Sequence, residues 1–107
     1  MELNEYQGEA RSTARYPLSQ GLMYCALGLC GESGEVADKL KRVYRDHGGD
    51  VESARESMGK ELGDVLWYVA NLAHELGYTL EEIAHMNVEK LRSRMERGAI
   101  HGEGDDR

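Results

Sequence analysis

Glu32 and Glu35 stand three residues apart, and so do Glu61 and Asp64. Each pair falls in a stretch with helical spacing of apolar residues, and carboxylates three apart on a helix share a face. Two such faces brought together would crowd four like charges, an arrangement that is unstable without a cation. The pattern therefore predicts a divalent metal site held by Glu32, Glu35, Glu61 and Asp64. The competing reading is a set of surface acids paired with Lys39, Lys41 or Lys60. It suits a single pair well and two pairs matched in height and flank poorly.

That match depends on the elements that carry the acids. Gly48 is the midpoint between the two pairs. An antiparallel helix hairpin folded there sets both pairs on the order of 20 Å from the turn, at 1.5 Å per residue. With Leu29 and Val65 as stripe centres, Glu32 and Glu61 lie roughly 60° and 40° to one side. Glu35 and Asp64 lie roughly 120° and 100° to that same side. On antiparallel facing helices, equal offsets of one sign point to one flank, so the four carboxylates line one groove.

Four helices are readable and no strand, so the fold class is all-α. Pro17, the only proline, separates a first helix at about 3–14 from the rest. The second, about 19–45, carries Leu22, Ala26, Leu29, Ser33, Val36, Leu40 and Val43 as its stripe. Gly48 and Gly49 make the turn, and Asp50 is the expected N-cap of the third helix. That helix carries Val51, Ala54, Met58, Leu62, Val65, Val69, Leu72 and Leu76 and stops at Gly77. Thr79 and Glu82 form a capping box opening the fourth. Residues 1–97 read as one domain and 98–107 as a glycine- and acid-rich tail. Gly28, Gly31 and Gly34 sit inside the second helix at a cost of roughly 1 kcal/mol each. They either admit a neighbouring helix or clear space beside Glu32 and Glu35.

The 107 residues suffice for one modest core, and 40% hydrophobic with 31% charged residues is ordinary for a globular protein. No apolar run is long enough for a membrane span, so no membrane partner is expected. The polar N-terminus does not read as a signal peptide. A net charge of −7 without a basic face argues against a polymeric nucleic-acid partner. Cys25 and Cys30 lie roughly 140° apart on a helix and read as reduced thiols of a cytoplasmic protein.

The fourth helix places Asn87 between Ile83 and Leu91 on its stripe, with Lys90 and Arg94 flanking that face. A buried polar trio needs partners, and phosphate oxygens or the acid cluster would serve. Alternatively, Lys90 and Arg94 extend to water. Tyr68, one turn after Asp64, is placed to stack on a base or donate a hydrogen bond. Trp67 reads as pointing to the opposite side of its helix, towards a subunit contact. Lys39, Tyr68, Asn87, Lys90 and Arg94 make up the candidate substrate-binding set.

The segment Ala26-Leu27-Gly28-Leu29-Cys30-Gly31-Glu32-Ser33-Gly34-Glu35-Val36-Ala37-Asp38 resembles the first motif of the MazG-like nucleotide pyrophosphohydrolases. Lys60-Glu61-Leu62-Gly63-Asp64-Val65-Leu66-Trp67-Tyr68 resembles the second, and Asn87-Val88-Glu89-Lys90-Leu91-Arg92-Ser93-Arg94 their closing helix. The resemblance implies a helical bundle of four main helices completed by dimerisation, as a homodimer or homotetramer. It implies cleavage of nucleoside triphosphates to the monophosphate and pyrophosphate with Mg²⁺, for which Mn²⁺ substitutes. By family position Glu32, Glu35, Glu61 and Asp64 would be metal ligands; a carboxylate of that cluster, Glu32 or Glu35, would then orient or deprotonate the attacking water. Asn87 and Lys90 would meet phosphates and Tyr68 the nucleotide. Some relatives specific for pyrimidine deoxynucleotides carry a tryptophan seven residues after the second Glu; here that position is Arg42, which leaves the base open. The tail reads as disordered, the alternative being that it folds over the site.

Overall fold

The computed structural model describes residues 1–107, and its regular structure is entirely helical. Helix α1 spans Leu3–Ser12, α2 Gly21–Asp46, α3 Arg55–Glu75 and α4 Leu80–Glu96, with short 3-10 turns at Leu18–Gln20 and Val51–Ala54. No helix is long and apolar enough to cross a membrane. The four expected helices are present, with one revised start. Asp50 caps no amide with its side chain; a 3-10 turn follows it, and α3 begins at Arg55.

Helices α2 and α3 form the antiparallel hairpin. Gly48 and Gly49, at φ +60° and +82°, make its turn, a conformation that other residues adopt at a steric cost. The amides of His47 and Gly49 both donate to the Val43 carbonyl, closing α2. At the end of α3, Gly77 adopts φ +83°. Its amide donates to His74 and that of Tyr78 to Ala73, so the orphan carbonyls of the last turn are satisfied.

Helix α1 packs across α3 and the start of α4. Ala10, Ala70 and Leu80 form the core there, with Tyr6, Trp67 and Val69 against it. The first turn of α4 is capped from two sides. Thr79 and Glu82 form the expected capping box, with bonds of 3.1 and 3.0 Å. From α1, Gln7 Oε1 accepts from the Leu80 amide and Asn4 Oδ1 from the Glu81 amide, each at 3.0 Å. The buried Gln7 also donates to the Ala70 and Tyr78 carbonyls at 3.1 Å, clamping α3, the turn and α4 together. A second polar seam joins Arg11, Tyr16, Asn71 and Glu75. Burial and then Glu75 hold the Tyr16 phenol well above its usual pKa.

The apolar stripes are only partly covered. On α2, Val43 is buried and Leu29 and Val36 half-buried, while Leu22, Ala26 and Leu40 are exposed. The early half of α2 instead meets α3 at Gly28, which lies against the Tyr68 ring, and at Tyr24, whose ring centroid is 6.2 Å from that of Tyr68. Residues 98–107 do not extend from the domain as disorder would require. They turn back, and Asp105 reaches Lys90 and Arg94 of α4.

Candidate metal and substrate site

The hairpin brings Glu32 of α2 together with Glu61 and Asp64 of α3. One oxygen from each carboxylate lies within 4.8 Å of the other two. Glu32 and Glu61 are half-buried and Asp64 is exposed. Burial, followed by Asp64 and Glu61, pushes the Glu32 carboxyl above its usual pKa, and Glu35 adds a smaller push. Glu35 is therefore a neighbour of the trio and not part of it; it lies exposed at the edge.

Lysine pairing relieves little of this crowding. Lys39 Nζ stands 3.6 Å from Glu61 Oε1. Lys41 pairs with Asp38 and Lys60 with Glu56, both outside the cluster. One ammonium thus faces three carboxylates. Oxygen donors at this spacing with charge left over fit a hard divalent cation.

Beside the acids lies an open pocket of about 290 Å³ lined by Glu32, Asp64, Trp67 and Tyr68. Tyr68 is where the sequence places it. Its ring lies over Gly28, where an added Cβ would come within 2.1 Å of the ring. This is the reason for one helical glycine: it seats an aromatic of α3 beside Glu32. Burial raises the Tyr68 phenol first, with Tyr24 and the Glu32 charge adding to it.

Trp67 departs from its expected position. It does not point away from the acids but lines their pocket. The signal was present, because Asp64 and Trp67 are three apart and share a face. The indole Nε1 donates to Thr13 Oγ1 at 2.8 Å, and the ring meets Tyr68 edge-on at 4.9 Å. Tyr6 of α1 also comes near. Its phenol is raised by burial and then by Asp64, a contribution from α1 that no motif announced.

The polar residues of α4 are not part of this pocket. Asn87 is exposed and Lys90 half-buried, so of the expected buried trio only Arg94 is buried. Lys90 Nζ donates to Asp105 Oδ1 at 2.7 Å. Arg94 Nη2 donates to the same oxygen at 3.2 Å and to the Asp105 carbonyl. Arg42, at the position where some relatives carry tryptophan, pairs with Asp38 at 2.8 Å.

Comparison with known proteins agrees with this architecture. The chain is similar to Gene 37 protein of Mycobacterium phage L5, with 43% identity over 114 aligned positions that cover all of both chains. No solved structure matches it. Residues 20–98 match the model of the MazG nucleotide pyrophosphohydrolase domain, a span that includes the whole α2–α3 hairpin, the acid trio and α4. The chain belongs to the MazG nucleotide pyrophosphohydrolase domain family.

Proposed function

We propose that this protein hydrolyses nucleoside triphosphates, ribo- or deoxyribo-, between the α- and β-phosphates, releasing the monophosphate and pyrophosphate. The observation that carries the reading is the trio Glu32, Glu61 and Asp64, three crowded carboxylates from two helices with one lysine among them. Family membership supports the reaction class.

Glu32, Glu61 and Asp64, with Glu35 at the edge, would hold Mg²⁺, or Mn²⁺ in its place. Bound there, the cation would offset phosphate charge and make water more acidic. The side chains supply the rest. Glu32 would orient the attacking water or take its proton, with Glu35 as the alternative base. Attack in line on the α-phosphorus expels pyrophosphate, and no covalent intermediate is needed. Tyr68 and the pocket beside it receive the nucleoside. Lys39, released from Glu61, and Asn87, Lys90 and Arg94 of α4 contact phosphates. The active form is a homodimer or homotetramer working in the cytoplasm.

The test is pyrophosphate and orthophosphate release from a panel of nucleoside triphosphates, with Mg²⁺ and with excess chelator. Metal-dependent pyrophosphate release is expected, reduced by about 10²-fold or more in Glu32→Gln and Asp64→Asn while both still fold. Orthophosphate alone would mean a different bond is cut. Release of neither would favour a related pyrophosphate compound as substrate, or a helical binding module.

A further inference from the structure

Arg94 is the one charged side chain buried in this fold, 5% exposed. Its Nη2 meets Asp105, and its Nε has no partner. Burying a guanidinium with an unpaired donor is costly, and the surroundings suggest what it is kept for. Around it lies a wholly polar pocket of about 250 Å³ where Lys90, Arg94, Arg97 and Arg107 face the acids Asp105 and Asp106. In a chain of net charge −7 this is a local excess of positive charge. The Arg107 Nε is likewise unpartnered.

Asp105 fills only part of what this pocket offers. Its side chain is largely exposed, held by Lys90 at 2.7 Å and Arg94 at 3.2 Å. Those two cations, Lys90 first, keep its carboxyl below the usual range. A carboxylate brings two oxygens and one charge. A phosphoryl group brings three oxygens and up to two charges, and a planar guanidinium binds it through two parallel bonds.

We propose that this pocket is a metal-independent anion site for a phosphoryl group of a polyphosphate. Asp105 is its internal occupant, and the phosphate displaces the tail to reach Lys90 and Arg94. The proposal rests on the reading that Lys90 and Arg94 meet substrate phosphates, and adds the tail as their competitor.

The probe is inorganic tripolyphosphate, titrated calorimetrically into the full-length protein in excess chelator. Without a cation the acid trio repels the probe, so binding reports the basic pocket. Asp105→Asn is expected to bind about five- to tenfold tighter than the natural chain. Glu103→Gln makes the same charge change outside the pocket and is expected to change nothing. Lys90→Met is expected to abolish binding. Tripolyphosphate is also expected to speed cleavage of the tail after Glu103 by a glutamate-specific protease. Equal affinity in Asp105→Asn, an equal gain in Glu103→Gln, or no binding to either chain would overturn the proposal. Metal-dependent pyrophosphate release from the same protein preparations, assayed separately with Mg²⁺, distinguishes the two readings. Its absence with the competition intact sinks the hydrolase and spares the anion site; its presence without competition does the reverse.

Discussion

Glu32 is a carboxylate held against other carboxylates, and two measurements on one substitution separate the cost of that crowding from its use. Burial, Asp64 and Glu61 all disfavour its charge. In chelator, Glu32→Gln is therefore expected to melt above the natural chain in scanning calorimetry. With Mg²⁺ present the order reverses, because the natural chain gains a ligand that binds only its folded form. A variant that melts lower in both conditions would mean that Glu32 is a structural acceptor. Gly28 makes a second prediction at this scale. Alanine there meets the Tyr68 ring at 2.1 Å and is expected to cost about 1–3 kcal/mol. In a Tyr68→Ala background the same change has room and is expected to stabilise by up to about 1 kcal/mol, the helix preference of alanine over glycine. No sign change in chemical denaturation would mean that the ring leaves Gly28 freely. The helical period was enough to place Glu32, Glu61 and Asp64 on one flank from the sequence. Glu35 lay furthest round by the same arithmetic, and it is the one outside the trio. Trp67 was misplaced although its spacing from Asp64 was visible. Its position also depends on Thr13, a partner outside every helix.

Elements show the same division between local and distant causes. The capping box of Thr79 and Glu82 is readable because both bonds span three residues. The clamp from α1 is not, since Gln7 meets Ala70, Tyr78 and Leu80 at separations of 63, 71 and 73 residues, and no periodicity marks it. Its energetic weight is nevertheless expected to be the larger. Gln7→Leu removes three bonds and leaves buried backbone groups without partners, at a cost of about 3 kcal/mol. Thr79→Ala removes one exposed cap, for about 1 kcal/mol. Urea denaturation of the two variants checks the ranking, and equal losses would mean that water replaces Gln7. The end of α2 near Gly48 followed from the glycine pair, but the start of α3 did not: Asp50 leads into a 3-10 turn and its side chain caps no amide. A preferred residue type was present without the geometry that makes it a cap.

At the scale of the whole molecule, the radius of gyration is 16.6 Å, against about 13 Å for a compact domain of this length. Large apolar side chains stay open to solvent on the hairpin, among them Leu27 at 66%, Leu62 at 57% and Leu66 at 41%. Of these only Leu62 lies on a stripe that the sequence marks, because periodicity picks out one face of each helix and does not tell against which chain a face is buried. The tail was opaque for a related reason. Its glycines and acids look like disorder until Asp105 is seen on two cations of α4. A single copy of this bundle leaves its hairpin half-covered, and a second copy would supply the missing layer with the same apolar residues. Sedimentation velocity is accordingly expected to give a mass of two or four chains, with a melting midpoint that rises with protein concentration. Leu62 and Leu66 are one turn apart on α3. The double substitution Leu62→Glu and Leu66→Glu places two charges on that face and is expected to shift the mass to one chain. It changes no residue of the acid trio, so hydrolysis lost together with assembly would mean that the site is complete only between copies. Monomers of the natural chain at all concentrations would instead mean that these leucines serve some other contact.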